Sequence, residues 1–528
     1  MKKLAIFAAL LAAVLTLLAE PGSAKVLRFG TQDEPQTLDP HSANLGVTNR
    51  LLSSVYEGLV TRDKDFKIVP SLAIWWSQPD QRTWRFKLRS GVKFHDGSPF
   101  TADDVVFSVQ RALSPNSQLK SSLQGVATAR KVDDLTVDLV MKDPNPVLVN
   151  HLVTFRIMSK AWAIKNNAQQ PQDYKKQEDT YSSRNENGTG PFMVKERQPD
   201  VKTVLVAFPD WWNKAAPDKG NLDGVTLLPV KAKATRLAGL LSGELDFVND
   251  TSLPDFVLLK SQPEIKTVEG AEGRVQYLAF DQHSDELKYS NVKGKNPFKD
   301  LRVRQAVAYA IDEEAIKNKV MRGYANPIGS IITPADHGYS KDADKRLPYD
   351  IARAKALMEQ AGYPNGFEIT LDCGDNSPAP DICQAVPPML AQIGIKVRAN
   401  ILPGSTFFPK LQRFDTSFYL LSWGSQTFDA LYTVLALLHT NAGESSGNGD
   451  SNYGRYSNPK VDKLITQIKT EFDLKKRDAD IREVLMIANA DVAVLPLHQM
   501  IAPWAMRKNV TAVFAPSNVP YFYRFSAN

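Results

Sequence analysis

Cysteine is almost missing from this sequence, with two in 528 residues, and histidine is scarce at seven. One close pair of thiols and scattered imidazoles do not make the ligand spacing of a structural zinc site. The phosphate-cradling GxxxxGK[ST] loop, the HExxH zinc-protease helix and the GxGxxG dinucleotide turn are also absent. Carboxylates are plentiful, so a glycosidase-like pair is not excluded, yet nothing in the pattern singles one out. Nor is there a surplus of one charge: 64 lysines and arginines face 58 aspartates and glutamates, for a net +6 interspersed along the chain. So mild and dispersed a balance makes no field for a polyanion, and nucleic acid is not expected as a partner. Beyond the first two dozen residues no apolar run approaches membrane-spanning length.

What is present begins with MKKLAIFAALLAAVLTLLAEPGSA. Lys2 and Lys3 form a positive start, Leu4 to Ala19 an apolar stretch, and Gly22 and Ala24 the small residues that cleavage prefers. Residues 1–24 therefore read as a signal peptide, with the mature chain starting at Lys25 and exported to the periplasm. A single-pass anchor is the competing reading, but Pro21 and Gly22 break the stretch short of a full span. No cysteine follows the small residues, so no lipid anchor is expected. The mature chain is long enough for two or three domains, each with its own core, and its 33 prolines and 24 phenylalanines suit a loop-rich globular protein.

Both cysteines, Cys373 and Cys383, lie in LDCGDNSPAPDICQAV around a polar, proline-rich loop. In an exported protein this spacing reads as a local disulfide, with free thiols and a metal pair as alternatives.

Mixed α and β segments follow one another without an internal repeat. In WRFKLRSGVKFHDGSPFTADDVVFSVQR, Trp84, Phe86 and Leu88 alternate with basic residues as a strand does. Asp96-Gly97 then marks a turn, and Thr101 with Asp104 opens a helix; a catalytic His95–Asp96 pair is the sharper but weaker reading. Residues 132–141, 203–208 and 224–230 read as strands. The run from Leu301 to Gly323 reads as one helix after Asp300, and another helix follows Asp350 and ends before Gly362. Residues 367–373, a helix from about Ile382 to Ile393, and residues 395–401 make a β-α-β unit, which calls for a parallel sheet. Polar, glycine-rich segments at 185–190 and 441–454 read as loops. An exported α/β chain of several domains without a catalytic signature fits a binding protein better than an enzyme.

With its neighbours, the segment around HDG resembles the family 5 extracytoplasmic solute-binding proteins, the dipeptide-, oligopeptide- and nickel-binding components of ATP-binding-cassette importers. TLDPHSA, VYEGLVTRD, the WRFKLRSGVKFHDGSPFTADDVVFS signature, GTGPFMV, NPFKDLRVRQAVAYAID, AQIGIKV, YSNPKVDKLI and PLHQMIAPWAMRKNV stand in family order. The resemblance implies an α/β fold of the periplasmic binding protein type II class (cluster C), with two hinged lobes and an additional small domain on lobe one. Lobe one would comprise 25–275 plus 503–528, with an inserted subdomain at about 62–187. Lobe two would be 276–502, with crossings near 274–281 and 495–504. It implies capture of a peptide or other small solute by a monomer, delivery to membrane permease subunits, no cofactor, no metal and no catalysis. A nickel or metal-chelate carrier, with His439 its best candidate, and an extracytoplasmic hydrolase are the alternatives.

By the same resemblance, Thr31, Gln32 and Asp33 reach the cleft from lobe one, and LLSWGSQTFDA reaches it from lobe two. Trp423 would be an aromatic wall, or else an ordinary core tryptophan; Gly424 and Ser425 would offer backbone groups. Asn452 and Tyr453 are further candidates, against an ordinary loop role. Peptide binders of the family often carry an aspartate shortly after the tryptophan–glycine step to pair with the α-ammonium; Gln426 stands there. Asp429 is the substitute if it faces the ligand, and a helix N-cap if it does not.

Overall fold

The computed structural model describes residues 24–176, 178–443 and 447–528. The expected signal peptide, save Ala24, lies outside them. An eleven-stranded mixed sheet runs through the molecule: β1 (Val26–Thr31), β2 (Phe192–Gln198), β3 (Lys202–Ala207), β4 (Gly224–Pro229), β5 (Phe247–Val248), β6 (Ile265–Phe280), β7 (Ala325–Pro327), β8 (Glu368–Gly374), β9 (Lys396–Leu402), β10 (Phe418–Gly424) and β11 (Leu495–Arg507). Their spatial order is β9-β8-β10-β6-β11-β5-β1-β4-β3-β2, with β7 also on β11.

Two long strands, β6 and β11, join the halves of this sheet. They pair antiparallel from Ile265 opposite Arg507 to Leu278 opposite Leu495, and the register shifts between Ala271 and Val275. Beyond that shift β6 alternates sides: Tyr277 and Ala279 enter one core with Tyr419 and Val434, while Leu278 and Phe280 enter another with Val303 and Phe418. This is the period of two of a strand buried on both faces, and it explains the apolar run YLAF from Tyr277 to Phe280. In the other half Leu27, Phe29, Phe247, Trp504, Phe522 and Phe525 pack on one face, and Leu240, Val248 and Ala505 on the opposite face.

Between β1 and β2 the chain builds a separate four-stranded antiparallel sheet from Ala73–Asp80, Thr83–Leu88, Val126–Asp133 and Thr136–Met141. The helix Ala102–Ala112 packs on it around Phe86, Val105, Val109 and Leu139. HDG makes a turn: Phe94 and Ser98 bond across it, and Gly97 has φ 84°. His95 bonds Glu186 (2.7 Å) and the Gly190 carbonyl (3.0 Å). The Thr101 capping box is formed, with Asp104 accepting from the Thr101 N–H at 2.9 Å.

The β-α-β unit is present, with β8 and β9 parallel and its helix at Ala379–Ala391, three residues earlier than expected. Cys373 and Cys383 are disulfide-bonded inside the same core. Two expectations need correction. The run 301–323 is broken: a helix ends at Ala310, Ile311 is extended, and Asp312 caps a new turn by accepting from the Ala315 N–H (2.8 Å). The strand expected over 132–141 is a hairpin corner followed by a strand from Thr136, because the Asp133 carboxylate binds the Leu135 N–H (2.8 Å) and turns the chain.

Candidate functional site

A cavity of about 480 Å³ lies where the sheet halves and the small domain meet. The helix Gly46–Val55, the strand Val60–Arg62, the loop around Arg156, the C-terminal segment 516–524 and residues 272–274 of β6 wall one side. Gly424, Ser425, Gln426 and Phe428, at the end of β10, wall the other.

Residues from the two sides touch. The Ser425 N–H donates to the Gly273 carbonyl (3.2 Å). Arg62 donates to the Thr427 carbonyl (2.7 Å), and Asn150 to the same oxygen (3.3 Å). The Phe66 and Phe428 rings meet edge to face at 4.4 Å, with the Arg62 guanidinium 4.6 and 5.2 Å from their centres. Gly273 makes room for this: a Cβ there would lie 2.2 Å from the Phe428 ring.

Arginine dominates the electrostatics. Arg274 pairs with Glu272 (3.1 Å) and Arg524 with Asp218 (2.7 Å). Arg50, Arg62 and Arg156 have no carboxylate within ion-pair distance among the described residues. Burial lowers the pKa of all three, Arg156 to about 10. Arg156 is fixed by donating to the Asn49 carbonyl (2.9 Å), while its own carbonyl accepts from His41 Nε2 (2.8 Å). That bond uses the TLDPHSA segment: Asp39 receives Arg111 through two short bonds (2.6 and 2.5 Å), and Arg111 also approaches His41 Nδ1 (3.2 Å). Burial and the Arg111 charge push the His41 pKa down to about 3, so the ring is neutral, with its proton on Nε2. Among the acids, Glu57 is half-buried and raised in pKa by desolvation; its carboxylate accepts from Trp211 (3.1 Å), Trp212 (2.9 Å) and Thr189 (2.8 Å). That is the structural content of VYEGLV and of the PDWW segment.

Of the expected residues, Gly424, Ser425 and Gln426 line the cavity, and Gln426 is exposed with no hydrogen bond among the described residues. Gln32 and Asp33 are exposed and outside the lining, though the Asp33 charge acts on Arg50. The Thr31 hydroxyl bonds the Asp33 carbonyl. Trp423 is half-buried off the cavity, donating to Thr433 (3.1 Å) and packing on Tyr432. Asn452 is buried and ties its loop by donating to the His439 (3.0 Å) and Tyr456 (2.8 Å) carbonyls. Tyr453 packs on Tyr419. Asp429 is buried away from the cavity: it caps the helix Ala430–Leu437, and its carboxylate holds Arg477 (2.5 and 2.9 Å) and His337 (3.1 Å). The N-cap reading describes it, and its oxygens are already engaged. His439 sits off the cavity, against the Thr440 carbonyl (2.8 Å). No group of three or more potential metal ligands comes together among the described residues. The arginines and Glu57 were not singled out from sequence, because they arrive from distant segments that only the fold assembles.

The family model described as bacterial extracellular solute-binding proteins, family 5 Middle, matches residues 67–445. The glutathione-binding protein GsiB of Pectobacterium atrosepticum is 30% identical over 447 residues, covering 82% of this chain and 81% of its own. Among solved structures, the ABC transporter substrate binding protein CtaP of Listeria monocytogenes aligns with a TM-score of 0.82 at 23% identity, over 96% of this chain and 99% of its own. The periplasmic binding protein DppA of Helicobacter pylori, in complex with the peptide STSA, aligns at 0.75 and 23% identity over 95% and 98%.

Proposed function

The chain belongs to the bacterial extracellular solute-binding proteins of family 5, and from that premise we propose that it captures a peptide or peptide-like solute between two lobes and hands it to an ATP-binding-cassette permease. Its fold is the type II periplasmic binding protein fold, and as a solute-binding protein it is not an enzyme. The observation that carries the reading is the cavity walled from both halves of the sheet, beside the two strands that join them.

We place lobe one at 25–275 plus 503–528, with the subdomain at about 62–187, and lobe two at 276–502. The register shift after Ala271 and the separate cores support that division. The N-terminal sequence supports export to the periplasm by a cleaved signal peptide, and among the described residues no helix is long and apolar enough to cross a membrane. The cavity volume falls in the roughly 300–1,000 Å³ range of small-ligand sites, which favours a short peptide over a long one. Ligand contacts that exist only in the closed form shift the population toward closure, and a micromolar ligand supplies about 8 kcal/mol in all. The closed monomer is the form offered to the permease.

The test is calorimetric titration of the mature chain with glutathione and a panel of di- and tripeptides, alongside X-ray scattering. Binding with a smaller radius of gyration, and ligand recovered intact, is the expected result. A chain that binds none of them, or whose scattering is unchanged at saturation, overturns the reading.

A further inference from the structure

From the charges around the cavity we infer that the bound solute is anionic, and that one of its carboxylates is received by Arg50 and Arg156. This rests on the peptide-capture reading and narrows it to a charge class.

Five arginines and four acids line the cavity, and the balance within that set decides. Two arginines are neutralised in place, Arg274 by Glu272 and Arg524 by Asp218. Glu57 is enclosed by two indoles and a threonine hydroxyl, so its acceptor oxygens face protein donors. Asp63, the fourth acid, is half-exposed and accepts from the Asp65 (3.0 Å) and Lys67 (2.8 Å) backbone N–H groups of its own turn.

Three guanidiniums remain. Arg62 is committed to the Phe66 (2.8 Å) and Thr427 carbonyls. Arg156 is buried, and among the described residues every hydrogen-bond partner of its guanidinium is neutral: the Asn49 side chain and carbonyl and the Thr154 carbonyl. Arg50 is half-buried and makes no side-chain hydrogen bond or ion pair among the described residues; only the longer-range charges of Asp250, Asp33 and Glu272 act on it. A cation drawn out of water without an anionic partner is unfavourable, and a carboxylate arriving with the solute supplies what is missing as charge-assisted, fork-to-fork bonds.

The far wall offers no matching anion. It presents Gly424, Ser425, Gln426 and Phe428, and the nearest carboxylate on that segment, Asp429, is held by Arg477. The cavity thus has donors for a carboxylate and no free acid on that wall for an ammonium.

Three ligands of one backbone separate the charges: N-acetyl-trialanine (net −1), trialanine (net 0) and trialanine amide (net +1), with glutarate as a carboxylate that is no peptide. In calorimetry the acetylated acid should bind at least as tightly as trialanine and more than tenfold tighter than the amide. Arg50→Gln should lower affinity for the acids about tenfold, leave the amide unchanged and keep the apo melting temperature, since Arg50 holds nothing in the fold; Arg50→Lys should restore part of the loss. An amide that binds as well as the acids, or an acid-to-amide ratio untouched by Arg50→Gln, overturns the proposal. Binding of glutarate with rejection of all three peptides keeps the anion site and rejects peptide capture. Binding of none of the four overturns both.

Discussion

Asp429 shows how one carboxylate can look like a ligand contact in sequence and be a structural group in the fold. Buried with Arg477, it has its pKa pulled down to about 2; burial alone would raise it, and the His337 and Arg477 bonds outweigh that. Asp429→Asn leaves Arg477 as an uncompensated buried cation and should destabilise the chain by about 3–5 kcal/mol in denaturant unfolding. Its direct effect on the cavity should be small, so peptide affinity of the folded fraction stays near wild type. The buried histidines weaken the fold in acid. His41, at about 3, and His498, lowered to about 4 by burial and Arg346, stay neutral in the fold while the unfolded chain takes up protons below about 6.5. Their stabilisation is therefore complete above pH 6.5 and is lost as the pH falls toward 4. His337 runs the other way: its bond to Asp429 raises its pKa, so its contribution is present below 6.5 and fades as the pH rises through the raised value. Thermal melting should drop between pH 6.5 and 4.5, and His41→Gln should flatten that slope.

At the level of elements, the joint between halves is the sensitive part. Gly273→Ala would drive a methyl into the Phe428 ring and loosen its contact with Phe66 and Arg62. We expect roughly tenfold weaker ligand binding, about 1.4 kcal/mol, with scattering that reports a larger open fraction; unchanged affinity would show that Phe428 yields freely. The Cys373–Cys383 bond closes a short loop between β8 and the following helix, and on the chain-entropy model its removal costs about 2–3 kcal/mol. Unfolded, unreduced protein should show no titratable thiol. These elements were readable where local chemistry governs: alternation gave Trp84–Leu88, capping gave Thr101–Asp104, and spacing gave the β-α-β unit. They were misread where a side chain redirects the backbone, as Asp133 and Asp312 do. The cavity was half readable, because Gly424–Gln426 sit in one contiguous segment, whereas Arg50, Arg156 and Arg524 lie far apart in the sequence and only the fold gathers them on one wall.

The whole molecule is interlocked through its last strand. β5 pairs with β11, and Trp504, Phe522 and Phe525 complete the core that Phe29 and Phe247 begin. Deleting 503–528 should therefore unfold the half containing β1 more than the half containing β8; hydrogen exchange on the truncated chain would read this directly, and uniform protection would contradict it. The same closure has a meaning for biosynthesis. A chain that crosses a membrane from its N-terminus delivers β1 first, but the aromatic side chains that seal β1 arrive only with the final residues. On the export reading proposed above, the part that crosses first should be the last to become native, leaving Phe29 and Phe247 as apolar surface for an export-side chaperone to cover.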